Sequence, residues 1–66
     1  MYLKNLVKLR EAQGWSREKL AAESGVSYNT IVKIEYGGIE NPKIETVIKL
    51  AKALGVSLDE IVGIEK

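Results

Sequence analysis

The sequence predicts an all-α fold, five short helices around one core, and three observations predict it. A Gly–apolar–Ser triplet occurs three times, as Gly14-Trp15-Ser16, Gly25-Val26-Ser27 and Gly55-Val56-Ser57. Glycine adopts the left-handed conformation that closes a helix, and serine is a preferred N-cap, so each triplet reads as one helix ending and the next beginning. Around each cap, an apolar residue just before the serine and another four residues after it stand at the spacing of a hydrophobic staple: Trp15–Leu20, Val26–Ile31 and Val56–Ile61. Between the triplets, apolar residues recur at three- and four-residue steps and nowhere alternate with period two, so strands are not supported. The glycines of the triplets are 11 and then 30 residues apart, too unequal for a repeat array.

Each helix follows from its stripe. The first carries Leu3, Leu6, Val7 and Arg10 and ends near Gln13. The second, about two turns long, is lined by Leu20, Ala21 and Ser24. Ile31, Ile34 and Glu35 mark the third, which stops at Gly37-Gly38. After the loop Ile39-Glu40-Asn41-Pro42, a fourth carries Ile44, Val47, Ile48, Ala51 and Leu54. Leu58, Ile61 and Val62 form a short fifth, opened by a capping box of Ser57 and Glu60.

Composition narrows the function. Sixty-six residues hold one domain, 1–66. Zero cysteine and zero histidine exclude a disulfide framework, thiolate metal sites and the commonest general base. An enzyme is therefore not expected, and neither is a cofactor or a bound metal. Asp59-Glu60 reads as first-turn charge favoured by the helix dipole rather than as a metal site. A net charge of +1 argues against a polybasic arm but leaves room for a local basic patch. The start, Met1 to Lys8, is broken by lysines and lacks a signal-peptide core, and no apolar run approaches the roughly 20 residues of a membrane span. A cytoplasmic protein with no membrane partner is expected.

The second and third helices are joined by only Ser24-Gly25-Val26-Ser27. A tight glycine-containing turn between two short helices is a helix-turn-helix signature, here spanning about residues 16–36. With Leu20-Ala21 in the second helix, Gly25 in the turn, core positions Val26, Ile31 and Ile34, the close Ile34-Glu35-Tyr36-Gly37, then Pro42 and Ala51 to Ser57, nearly the whole chain resembles the lambda repressor/Cro-type helix-turn-helix domains. The resemblance implies that the third helix enters the major groove of DNA. It also implies structural roles for Ala21, whose small side chain lets the third helix approach, for Gly25, and for an Arg10–Glu35 ion pair tying the first helix to the end of the third.

At 100° per residue, Asn29, Lys33 and Tyr36 lie opposite the core face of Ile31, Ile34 and Glu35, with Tyr28 and Val32 beside them. Asparagine pairs bidentately with adenine and lysine donates to guanine, so Tyr28, Asn29, Val32 and Lys33 are the candidate base readers. Val32 either meets a thymine methyl or is an incidental exposed apolar residue. Phosphate contacts are expected from Ser16, Arg17, Ser27, Tyr36, Asn41 and Lys43 at the edges of the motif, where free N–H groups and positive charge gather. Two positions depart from the family pattern. Many members carry glutamine at the place of Arg17, bonding both a phosphate and the recognition helix, and Lys43 stands where serine often caps the fourth helix. Glu40 and Glu45 make the loop less basic than that of a strong DNA binder.

The sequence thus points to a sequence-specific, double-stranded DNA-binding regulator, a repressor that binds an inverted repeat as a homodimer. The candidate dimer surface is Leu58, Ile61, Val62 and Ile64. The competing reading is a protein-interaction module, in which the same fold docks a toxin or a partner regulator without reading DNA. Trp15 reads as core or staple rather than as a base-stacking platform.

Overall fold

The computed structural model of the chain describes residues 3–39 and 41–63. Five helices follow in order: α1 (Leu6–Ala12), α2 (Arg17–Ser24), α3 (Tyr28–Glu35), α4 (Ile44–Leu54) and α5 (Leu58–Val62), with no strand among the described residues. All three joins form as the triplets require. Gly14, Gly25 and Gly55 have φ of 73°, 75° and 69°. The hydroxyls of Ser16, Ser27 and Ser57 accept from the backbone N–H of Lys19, Thr30 and Glu60 at 3.1, 3.2 and 3.1 Å. At Ser57 the reciprocal bond from its N–H to the Glu60 carboxylate completes the capping box.

The core is a single cluster of Leu3, Leu6, Leu20, Val26, Ile31, Ile34, Val47, Leu50, Ala51, Leu54 and Ile61, with Trp15, Ala21 and Val56 packed against it. α2 packs on both α3 and α4, α4 on α5, and α1 on α5. The first and last helices are also stitched together by polar bonds: Asn5 donates its backbone N–H to the Ile61 carbonyl and its amide to the Glu60 carbonyl at 2.9 Å.

Three expectations need correction. On α4, Ile44 and Ile48 are exposed, at 50% and 37%, while Leu50, absent from the predicted stripe, is fully buried. The apolar residues of this helix cover a wide arc, and packing against α2 and α5 selects the Val47–Leu50–Leu54 edge. On α1, Val7 is likewise turned outward. Ile61, expected on a dimer surface, is fully enclosed in the core of its own chain. A partner could reach it only by opening the fold. Leu58 is exposed and Val62 half-buried, whereas Ile64, like Glu40, lies outside the described residues.

The fourth helix starts as Lys43 dictates. It occupies the N-cap position with φ −61° and ψ 145°, and no side chain caps the helix. Lysine carries only donors, so it cannot satisfy the orphan N–H groups of the first turn. No helix among the described residues is long and apolar enough to cross a membrane.

Candidate nucleic-acid interface

α3 is amphipathic. Ile31 and Ile34 point into the core, and the opposite side presents Tyr28, Asn29, Lys33 and Tyr36 to solvent, with Val32 half-buried at its margin. Asn29 and Lys33 are both exposed and stand one turn apart, so they face the same way.

Beyond the shared apolar core, a buried charge network ties the end of this helix to α1 and α2. The Glu35 carboxylate is only 1% exposed, and two arginines share it. Arg10 donates its Nε to Oε2 at 2.8 Å and Nη2 to Oε1 at 3.3 Å. Arg17 donates Nε to Oε1 at 2.7 Å. Arg10 also donates Nη1 to the Trp15 carbonyl at 2.7 Å, which ties the α1–α2 turn to the same cluster. The pairing of Arg10 with Glu35 is the one the sequence indicated. The second partner, Arg17, was expected at a phosphate; the resemblance gave a glutamine at its place a bond to the recognition helix, and the guanidinium makes such a bridge from α2 to the end of α3. Arg17 also reaches Tyr36, donating Nη2 to the phenol oxygen at 2.9 Å, with the guanidinium carbon 5.0 Å from the ring centroid. The hydrogen bond to Glu35, above all, raises the Arg17 pKa still further, against a smaller opposing effect of burial. The side chain is a fixed cation at every working pH.

The phosphate candidates divide into two groups. Ser16, Arg17, Ser27 and Tyr36 flank α2 and α3. Both serine hydroxyls are engaged as caps, and the Ser27 O–H also donates to Thr30 Oγ1 at 2.8 Å. Asn41 and Lys43 line a concavity of about 370 Å³ with Thr30, Ile39, Pro42 and Thr46, where the N-terminal ends of α3 and α4 come together. Trp15 is half-buried against the core, as expected, with the Lys19 ammonium 5.9 Å from its ring.

A family profile described as Helix-turn-helix matches residues 6–61, which takes in all five helices but the last residue of α5. The chain belongs to the Cro/C1-type helix-turn-helix family. Members similar to it include an uncharacterised HTH-type transcriptional regulator, y4dJ, of Sinorhizobium fredii, 40% identical over 88% of this chain and 74% of that protein. Another is the cryptic phage CTXphi transcriptional repressor RstR of Vibrio cholerae, 39% identical over 96% of this chain and 56% of that one. The HTH-type transcriptional regulator PuuR of Escherichia coli is 39% identical over 86% of this chain but only 30% of its own length. The chain thus spans about half or less of the latter two relatives. No solved structure matches at comparable significance. This Cro/C1-type domain keeps the family's all-helical architecture.

Proposed function

We propose that this Cro/C1-type chain is a sequence-specific binder of double-stranded DNA that represses transcription as a homodimer on an inverted repeat. The observation that carries this reading is the exposed pair Asn29 and Lys33 on an α3 whose back is clamped by the Arg10–Glu35–Arg17 network. Such a helix fits the major groove, with asparagine directed at adenine, lysine at guanine, and Tyr28 and Val32 beside them. Arg17, Lys43, Asn41 and the first-turn N–H groups behind Ser16 and Ser27 supply the phosphate contacts. One such helix covers only a few base pairs. Two copies related by a two-fold axis, with half-sites about one helical turn (~34 Å) apart, provide the discrimination. Leu58 and Val62, still accessible on α5, are the surface for that pairing. RstR of Vibrio cholerae is a relative named as a transcriptional repressor.

The test is selection of bound duplexes from a random pool, followed by a salt titration of the selected site. The expected outcome is an inverted repeat whose affinity falls steeply with salt, at a log–log slope of about −0.9 per phosphate neutralised. Asn29→Ala and Lys33→Ala relax base preference at a cost of roughly 1–3 kcal/mol each. Binding by both variants that matches wild type in affinity and preference refutes the groove assignment. A mass measurement that finds only monomer across micromolar concentrations and on the selected site refutes the dimer. The exposed Ile44 and Ile48 favour a second reading, docking of a protein partner on α4. A selection that yields no enriched duplex supports that reading instead.

A further inference from the structure

Resting on the DNA-binding reading above, we propose that Tyr36 is a positioning residue that aims the Arg17 guanidinium at a DNA phosphate and makes no phosphate contact of its own. A guanidinium has two usable edges. The side edge, formed by Nε and the nearer N–H of Nη2, is fully occupied in this chain: Nε donates to Glu35 Oε1 at 2.7 Å and Nη2 to the Tyr36 phenol at 2.9 Å. The end edge, formed by Nη1 and the second N–H of Nη2, is the planar fork that matches a phosphate. Among the described residues no hydrogen bond takes the Nη1 group.

Two constraints of different kinds hold the fork still. Glu35 is buried and anchored by Arg10, so it fixes the position of Nε. Tyr36 fixes rotation about that point, through its hydroxyl and through its ring, which lies 5.0 Å from the guanidinium carbon. Tyr36 is 71% exposed, too open for its ring to serve the core. Its contacts with Arg17 are what its position provides. A long cationic side chain otherwise loses several rotatable bonds on binding, and a fork aligned beforehand loses fewer. One side chain is thereby tied to the end of α3 and keeps donors for the backbone of DNA.

A double-mutant cycle tests this. Wild type, Tyr36→Phe, Arg17→Ala and the double variant are titrated against a labelled duplex carrying the sequence selected by wild type, across a salt series. Tyr36→Phe is expected to weaken binding about three- to tenfold, the range for loss of one hydrogen bond, on selected and scrambled duplexes alike. That loss vanishes in the Arg17→Ala background, where the salt slope has already fallen by about 0.9. An equal loss in both backgrounds means that Tyr36 touches DNA itself, and overturns the inference while leaving the DNA-binding reading intact. So does an affinity unchanged in Tyr36→Phe. Failure of wild type to bind any duplex overturns the reading first and this inference with it. The positioning is also read in the protein alone: nitrogen NMR of the Arg17 guanidinium should show slow Nη rotation in wild type and faster rotation in Tyr36→Phe. Identical rotation overturns the inference without reference to DNA.

Discussion

Replacing Glu35 by glutamine removes one charge from the centre of the network and leaves two arginines behind. The carboxylate accepts three hydrogen bonds, at 2.8, 3.3 and 2.7 Å. Glutamine keeps one acceptor oxygen and turns an NH₂ donor toward a donor of one arginine. Arg17 is partly open to water and relaxes at little cost, but the Arg10 side chain is 9% exposed and stays behind, held by the Trp15 carbonyl. Breaking one side of a buried pair costs about 3–5 kcal/mol. The retained acceptor puts Glu35→Gln near the lower end, about 3 kcal/mol. A 66-residue domain has roughly 3–10 kcal/mol of total stability at its disposal. The thermal midpoint should therefore fall by about 12–24 °C, at 4–8 °C per kcal/mol for domains of this size. Circular dichroism at 222 nm, with heat and with urea, measures it. A midpoint lowered by less than about 4 °C, roughly 1 kcal/mol or less, refutes the view that Arg10 is buried with this carboxylate as its counter-charge. The companion variant Arg10→Met/Glu35→Leu, which removes the most buried cation together with the carboxylate, should lose less than Glu35→Gln alone, because it leaves no buried charge unpaired; it takes one donor from the Trp15 carbonyl and the acceptor from the part-exposed Arg17.

Three further outcomes follow from the packing and the caps. Leu50→Ala should cost about 2–5 kcal/mol and Ile48→Ala about 1 or less, because the first side chain is fully buried and the second 37% exposed. Urea midpoints compare them, and equal losses would contradict the orientation of α4. Gly25→Ala should destabilise by roughly 1–2 kcal/mol by the same assay. No atom lies within 4 Å of a Cβ built there, so the cost is that of φ +75° alone, and a neutral result would mean the turn relaxes away from it. Lys43→Ser should stabilise by about 0.5–1 kcal/mol by capping α4 while weakening duplex binding. Loss of stability in that variant would show that the N-cap geometry is not the one described.

Much of this architecture was readable residue by residue. The three Gly–apolar–Ser triplets specify backbone chemistry, left-handed closure and hydroxyl capping, which depends on neighbours in sequence, and all three form. The Arg10–Glu35 pair was legible through resemblance, and the outward face of α3 through simple angular arithmetic. The misses have physical causes. The apolar residues of α4 from Leu50 round to Ile48 span about 160° of the helix surface, so periodicity alone could not choose which edge would face α2. Ile61 has the same ambiguity in a helix of five residues, too short to define a face. Arg17 was read as a phosphate ligand because a basic residue at a helix start suggests one. Its bridge to Glu35 depends on a carboxylate having two oxygens that two arginines can share, brought together from positions 18 and 25 residues away. No local pattern encodes that.

The bonds from Asn5 to the carbonyls of Glu60 and Ile61 give the molecule the character of a closed ring. A pull on α5 would bear on this seam, which joins it to α1. From there it reaches Arg10, and Arg10 grips the carboxylate that steadies both α3 and the Arg17 fork. The far end of the domain is thereby linked to the face proposed to read the groove.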